Sequence, residues 1–363
     1  MRATTRCLAA TILAIEGLCW GCAGPILQPF EAMRASEQGA PTRGEKAEAR
    51  LQPYGPAPHR SLHPLLMAFL DFEQRGARTA AAGRAHLEFG VSYTSMYQSS
   101  ASPDGQSVAL FDGEWARPEL DFRFGLTDRL EFFAAVPFLY TTSGFLDSFV
   151  ETYHDAFRLS QGNRDLAPSN RFGVRLVYDG KTIYALAEDR FGLGDIPIGL
   201  ALSLVEEAPD SIWPGLLARG AVELPTGSAR RGFGNGKYDL GVGLVAEKTI
   251  GILTVAAGAD YTWIRRPDSM KGSGAGLEDL VGAFVSGEVR LGQGLSALAA
   301  LDYLSQPLSG VPLRAARRDQ LMLSLGGAIE LGHGTRLRVD FIEDIIQDVS
   351  PDFSLRLGLE MRF

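Results

Sequence analysis

The end of the chain, residues 353–363, reads FSLRLGLEMRF and alternates between large apolar side chains and polar or small ones. Apolar residues at every second position share one face of an extended strand, whereas a helix would need a spacing of three or four. The same alternation recurs in residues 87–94, 120–124 and 130–140. We therefore predict β-strands with one apolar face and one polar or small face.

Alternation continues from residue 84 to the end of the chain in about fourteen segments. They run over about 9–14 residues, long for soluble strands and sufficient for a tilted strand to cross a bilayer. Short connections such as 125–128 and 249–251 alternate with long ones such as 141–170 and 306–318. This pattern predicts an all-β, transmembrane antiparallel up-and-down β-barrel with long extracellular loops and one short loop helix. We expect about 14 strands, with 12 as the alternative count because residues 181–190 alternate weakly.

Composition excludes several classes of protein. The chain has 35 Lys and Arg against 43 Asp and Glu, a formal charge of −8, which argues against a nucleic-acid partner because phosphate binding needs a basic face. After the first residues of the chain, no uncharged apolar stretch reaches the length of about 18 residues that a membrane helix requires. All three cysteines lie at Cys7, Cys19 and Cys22, so no cysteine-based site is expected in the barrel.

The N-terminus has the layout of a secretory signal peptide, predicted over residues 1–23. Arg2 and Arg6 precede an apolar run over residues 7–15, and small residues follow at 21–24. Lipidation of Cys22 is the alternative. Residues 24–83 are rich in proline and charge, and we expect an N-terminal periplasmic extension or plug before a barrel over residues 84–363. These features predict the outer membrane of a Gram-negative bacterium.

Two stretches carry a family resemblance. Residues 125–131, GLTDRLE, are typical of bacterial outer-membrane barrels, and residues 143–157, SGFLDSFVETYHDAF, narrow the match. With residues 162–164, residues 224–227 and the closing strand, the chain resembles the domain-of-unknown-function 3187 family over roughly residues 63–363. This resemblance implies a barrel in the outer membrane. It implies no catalytic residues, since that family has no assigned activity.

Residues 145–157 have helical spacing and hold the first candidate site. Asp147, Glu151 and Asp155 stand four residues apart beside His154, and such a row of carboxylates repels itself unless an arginine or a cation neutralises it. One hypothesis is a helix that folds over the pore mouth or bridges lipopolysaccharide through a divalent cation. The alternative is a solvated face on a helix that plugs the barrel. We expect no other cofactor and no other metal.

His154 also raises an enzymatic alternative. A histidine can act as general base when a nucleophile lies within hydrogen-bond reach, and a serine–histidine hydrolase in a barrel would use one. The sequence lacks a G-x-S-x-G motif, and its histidines are scattered. The chain is therefore predicted not to be an enzyme, with an outer-membrane hydrolase as the alternative.

Inward positions of the predicted strands carry charges of both signs. We interpret them as a charge ladder that either lines an ion-selective constriction or only pairs buried charges. The ladder comprises Glu88, Glu119, Asp121, Arg123, Arg129, Glu131, Arg171, Arg175, Arg336, Arg338, Asp340, Arg356, Glu360 and Arg362. The opposite wall is predicted to be lined by small residues such as Gly199, Ala221, Gly241 and Gly258.

These observations predict porin-like passage of a small solute across the outer membrane, with residues 25–83 and the loop helix able to block the lumen. The alternative is a non-conducting barrel for surface binding or envelope structure, whose mark would be a lumen filled by residues 25–83. Expected partners are the lipid bilayer, lipopolysaccharide and the barrel-assembly machinery. Phe363, which ends the last alternating strand, is the candidate assembly signal.

Overall fold

The computed structural model describes residues 53–158, 164–208, 211–292, 294–332, 334–346 and 350–363. The signal peptide predicted over residues 1–23, the choice at Cys22 and the extension up to residue 52 lie outside the described residues. The strands are β1 (Ala85–Ala101), β2 (Val108–Gly125), β3 (Leu130–Thr142), β4 (Gly173–Tyr178), β5 (Lys181–Leu186), β6 (Arg190–Leu193), β7 (Ile196–Val205), β8 (Gly215–Leu224), β9 (Asp239–Ile250), β10 (Leu253–Trp263), β11 (Gly276–Leu277), β12 (Leu280–Gly292), β13 (Leu295–Leu304), β14 (Leu308–Ser309), β15 (Gln320–Gly332), β16 (Thr335–Asp344) and β17 (Phe353–Arg362). An α-helix, α1, spans Asp147–Phe157, and short 3-10 helices lie at Leu66–Ala68, Arg164–Leu166, Ala229–Arg231, Asp268–Met270 and Arg314–Ala316.

The wall is a closed antiparallel barrel of twelve strands. Its order is β1, β2, β3, β7, β8, β9, β10, β12, β13, β15, β16 and β17, and β17 returns to pair with β1. Closure satisfies the backbone of every wall strand, which a bilayer demands because it offers no water to an open edge. The fold class is therefore confirmed, and the wall has the lower of the two strand counts considered.

Two of the fourteen alternating segments do not span the wall. β4 and β5 form a short hairpin, and β4 pairs only with residues 108–112 of β2, beyond the point where β3 ends. The hairpin turn at Asp179 and Gly180 lies at the end of the barrel with the long loops, because the amide of Gly180 donates to the carbonyl of Gln106. This end is called the long-loop end below. The opposite end, with the turns near residues 126–129 and 251–252, is called the short-turn end.

The outer surface of the wall is apolar. Leu240, Val242 and Leu244 of β9 are exposed and alternate with buried inward residues, and the same holds around the barrel. Exposed aromatic residues, among them Tyr238 and Trp263, cluster towards the long-loop end, as in the interfacial girdle of membrane barrels. No helix among the described residues is long and apolar enough to cross a bilayer. A closed barrel with this exterior belongs in the outer membrane, with its exterior against lipid.

Residues 53–83, named the lumen strap, pass through the barrel twice. At the short-turn end, the hydroxyl of Tyr54 donates to the carbonyl of Gly294. At the long-loop end, the indole Nε1 of Trp115 donates to the carbonyl of Leu62 at 3.0 Å, and the strap reverses at Leu66–Ala68. It then returns to the short-turn end, where the hydroxyl of Thr79 donates to the carbonyl of Asp128 at 2.8 Å.

An apolar cluster closes the long-loop end. The strap contributes Leu65, Leu66, Ala68 and Phe69, and inward residues of β1 and β2 contribute Met96, Phe111 and Trp115. The β4–β5 hairpin and the loops that follow β10 and β13 complete the cluster, with Leu176, Ile183, Met270, Val311 and Leu313 among the buried residues. The hairpin thus covers the barrel interior instead of lengthening the transmembrane wall.

Candidate functional site

Arg60 anchors the ascending part of the lumen strap. Its guanidinium lies 3.2 Å from a carboxylate oxygen of Glu119, 3.6 Å from Asp121 and 3.8 Å from Glu73. Oxygens of these three carboxylates lie within 4.8 Å of one another, a spacing that could also hold a metal ion. Because Arg60 already places a positive charge among them, Glu119 and Asp121 of β2 form a socket for the strap, to which Glu73 itself belongs.

Two further arginines anchor the descending part of the strap near the short-turn end. Arg75 pairs with Glu131 of β3 at 2.8 Å, and the amide of Ala80 donates to the same carboxylate at 2.7 Å. Arg78 lies 2.9 Å from Glu247 of β9 and 3.0 Å from Glu207, which follows β7. Glu131 and Glu247 are almost completely buried, so these contacts supply the positive charge that a buried carboxylate needs.

Wall arginines bind the strap backbone in return. Arg338 of β16 donates to the carbonyl of Pro56 at 2.6 Å. Arg219 of β8 donates to the carbonyl of Glu73 at 2.6 Å, and its guanidinium carbon lies 4.6 Å from the ring centroid of Phe72. The strap backbone has no strand neighbours for most of its path, so its carbonyl groups obtain part of their hydrogen bonds from these side chains.

Small residues of the wall make room for the strap. A Cβ added at Gly241 of β9 would lie 2.4 Å from Phe72 and 3.0 Å from Leu70, and Ala221 packs with the same two strap residues. Inward aromatics take other places, since Gly199 faces Phe133 and Gly258 faces Phe284. The small-residue side predicted from the sequence is therefore filled by strap and wall side chains.

Much of the predicted charge ladder lies in the lumen. On the side formed by β15, β16, β17 and β1, Arg356 pairs with Glu88 at 2.7 Å, and Glu360 lies 2.9 Å from Arg362 and 3.5 Å from Arg123. The same side also carries Arg336, which lies 4.0 Å from Glu360, together with Arg338 and Asp340. Sequence reasoning missed Arg60, Arg75 and Arg78, although three arginines in the segment predicted as a plug were a signal that it could pair with inward carboxylates.

Three ladder residues lie elsewhere. Arg129 is exposed in the turn after β2 and pairs with the exposed Glu206 at 2.8 Å. Arg175 lies on the outward face of β4, because Val174 and Leu176 face the apolar cluster, and Arg171 is exposed just before that strand. Alternation alone could not reveal this, since it does not distinguish a short hairpin from a spanning strand.

The helix α1 lies against the outer surface of the barrel and not over its mouth. The ring of Phe149 packs against Phe353 with centroids 5.4 Å apart, and Tyr153 packs against Phe341 at 5.6 Å. Phe353 points outward, because it precedes Ser354, whose inward side chain contacts that of Thr94. The expectation that this helix covers or plugs the pore is therefore wrong. The aromatic side of α1 instead packs against outward-facing aromatic residues of the lipid-facing wall.

A polar network holds the loop around α1 to that wall. Arg164 pairs with Asp147 and also with Asp352, the latter at 2.6 Å. The fully buried Glu114 of β2 accepts a hydrogen bond from the amide of Phe145 at 2.9 Å and one from Tyr93 at 2.5 Å. The arginine partner expected for Asp147 is thus Arg164.

The other candidates of the helix lie along the same element. His154 is buried, with Nε2 3.5 Å from a carboxylate oxygen of Glu343. Glu151 is half-buried and Asp155 is exposed, and both interact with other residues of the protein. A divalent cation at these carboxylates and a hydrolase role for His154 stay predictions.

The fold resembles that of known outer-membrane channels, whereas no curated protein matches the chain. The COG4313 outer membrane channel from Pseudomonas putida F1 is 14% identical, with a TM-score of 0.54 over 79% of this chain and 98% of that one. The KdgM porin in complex with disordered oligogalacturonate is a weaker likeness, at 9% identity and a TM-score of 0.40 over 77% of this chain and 99% of that one. The Pseudomonas putida toluene transporter TodX is 13% identical, with a TM-score of 0.32 over 78% of this chain and 89% of that one. Residues 45–363 match the model of a family described as proteins of unknown function. The chain therefore belongs to the DUF3187 family.

Proposed function

We propose that this protein is a gated channel for a small solute, closed in this structure by the lumen strap. The observation that carries the proposal is that Arg60, Arg75 and Arg78 attach the strap to the lumen wall through ion pairs. Water can replace such contacts when the strap moves. Side chains alone fill a barrel of about eight strands, so a twelve-stranded wall without its strap has room for a passage.

The apolar cluster at the long-loop end is a second barrier, and it depends on the same segment. Leu65, Leu66 and Phe69 of the strap pack with wall residues and with the β4–β5 hairpin. Withdrawal of the strap would remove these side chains from the cluster. The two barriers are thus coupled, and one movement weakens both.

The second candidate function is a non-conducting barrel for surface binding or envelope structure. The extent of the apolar cluster favours it, because burial of so many apolar side chains makes opening costly. In both functions the chain acts without catalysing a reaction.

Single-channel recording in planar bilayers distinguishes the two functions. We expect the unmodified full chain to be closed most of the time, and the variant Arg75→Gln with Arg78→Gln to open much more often, because Glu131 and Glu247 then lose their strap cations. Arg129→Gln is the matched control, since this exposed arginine pairs with Glu206 outside the lumen at the same end. A double variant that folds, as judged by circular dichroism and heat-modifiable gel mobility, and yet stays silent supports the non-conducting barrel instead.

A further inference from the structure

We propose that the opened channel selects cations, an inference that rests on the proposed gated channel. Its basis is the acidic arc, defined as the inward carboxylates Glu131 of β3, Glu247 of β9 and Glu288 of β12, all near the short-turn end. All three side chains are buried in the closed lumen. The solute class that such a lining favours is a small cation or a solute with a cationic group.

The lumen strap neutralises or solvates all three arc residues. Arg75 pairs with Glu131 at 2.8 Å, Arg78 pairs with Glu247 at 2.9 Å, and the amide of Gly55 donates to Glu288 at 3.0 Å. Each strap donor occupies a place that a hydrated cation could take. When the strap leaves, these carboxylates lose their strap donors together, while Glu288 keeps the hydroxyl of Ser296 at 2.7 Å.

Glu223 of β8 is a further acidic residue of the lumen wall, nearer the long-loop end than the arc, because it pairs with Asp239 and not with Glu247 across β8 and β9. Its side chain points inward from β8 and is 6% exposed, yet its Oε2 has no hydrogen-bond partner among the residues that the structure describes. A buried carboxylate oxygen without a partner is rare and calls for a proton, a cation or water. A cation is one of the partners that could satisfy Glu223 while the strap is in place.

Wall arginines on this side are committed elsewhere. Over the described parts of β3, β7–β10 and β12, the inward arginines are Arg219 and Arg290. Arg219 pairs with Asp260 of β10 at 2.7 Å, and Arg290 donates to the carbonyl of Gly251 in a turn at the rim. After departure of the strap, Glu131 still has Arg123 of β2 nearby, whereas the described parts of these strands offer Glu247 and Glu288 no free inward arginine.

The opposite side of the wall is paired internally. Glu88 keeps Arg356 and Glu360 keeps Arg362, whether or not the strap is present. Arg338, which loses the carbonyl of Pro56, is a released positive charge on that side. Strap withdrawal therefore unbalances the lumen towards negative charge at the arc, and a constriction lined by one sign of charge concentrates ions of the other sign.

Reversal potentials across a KCl gradient test the inference, using the full-chain variant Arg75→Gln with Arg78→Gln. We expect a cation-to-anion permeability ratio of about 10 at low salt, decreasing as salt screens the arc. Adding Glu247→Gln and Glu288→Gln should bring the ratio towards 1. Glu206→Gln is the matched control, because this exposed carboxylate pairs with Arg129 outside the lumen and should leave the ratio unchanged.

The outcomes separate the inference from the function on which it rests. A folded variant that conducts and prefers anions, or whose ratio does not respond to the two glutamine substitutions, overturns cation selection and leaves the gated channel standing. A folded variant that never conducts overturns both. If the double variant does not fold, Arg78→Gln alone serves the same measurement, since the Arg78 side chain is 42% exposed and its loss is better tolerated.

Discussion

Gly241 of β9 leaves the space that Phe72 of the lumen strap occupies, since a Cβ at position 241 would lie 2.4 Å from the ring of Phe72. Gly241→Ala should therefore push the strap from the wall. Overpacking of this kind costs about 1–3 kcal/mol, enough to raise the open population about tenfold. Single-channel recording gives the open fraction. Gly287→Ala is the control, because no atom lies within 4 Å of a Cβ there, and equal behaviour of both variants would contradict the close contact.

Arg75 and Glu131 form a nearly solvent-free ion pair, with side chains 5% and 0% exposed. Arg75→Ala leaves Glu131 buried without its partner, a change that costs about 3–5 kcal/mol. We expect faster proteolysis within residues 53–83 in detergent-solubilised barrels. Adding Glu131→Gln should recover much of the protection, because it removes the stranded charge. If the double variant is no better protected than Arg75→Ala, the pair does not hold the strap.

Arg164 joins the loop that carries α1 to the outer wall through Asp147 and Asp352. Arg164→Ala should release α1 and expose this loop to protease, because the buried Asp147 and the half-buried Asp352 lose their shared cation. Peptide mapping after limited proteolysis locates the cut. Ser148→Ala, on an exposed position of the same helix, should stay as resistant as the unmodified chain. Unchanged resistance of the Arg164 variant would mean that aromatic packing alone holds the helix.

Phe363 closes the barrel seam through its backbone, donating to the carbonyl of Ala85 at 2.9 Å and accepting from its amide at 3.3 Å. These bonds survive substitution, so Phe363→Ala tests the side chain as a signal for the barrel-assembly machinery. We expect less folded protein in the outer membrane by quantitative immunoblot. Phe191→Ala removes an exposed phenylalanine away from the terminus and is the control. Equal yields of both variants would exclude this role.

Alternation predicted the barrel because a wall between lipid and lumen forces a period of two on every strand. It overcounted at β4 and β5, whose residues alternate for a different reason. Leu176 and Leu186 face the apolar cluster, whereas the paired residues Arg175 and Ala185 are exposed on the other face. A sheet with one buried face produces the same pattern whether it spans a bilayer or covers an opening.

Pairing partners were harder to predict than faces. The sequence identified Glu131 as an inward charge but not Arg75 as its partner, because the path of the strap depends on contacts distant in sequence. The aromatic face of α1 was equally ambiguous, since Phe149 and Tyr153 could have covered the pore mouth. The helix lies on the outer wall because the outward-facing rings of Phe341 and Phe353 pack against its aromatic face. These two rings come together beneath the helix only in the folded barrel.

Tyr54 and Thr79 both lie at the short-turn end, so the strap enters and leaves the barrel through the same opening. Within the described residues the strap is a loop that turns back on itself at Leu66–Ala68, not a segment that runs from one end of the barrel to the other. Withdrawal of the strap through the short-turn end would therefore empty the lumen while every strand of the wall stays paired. The strap could re-enter through the same opening.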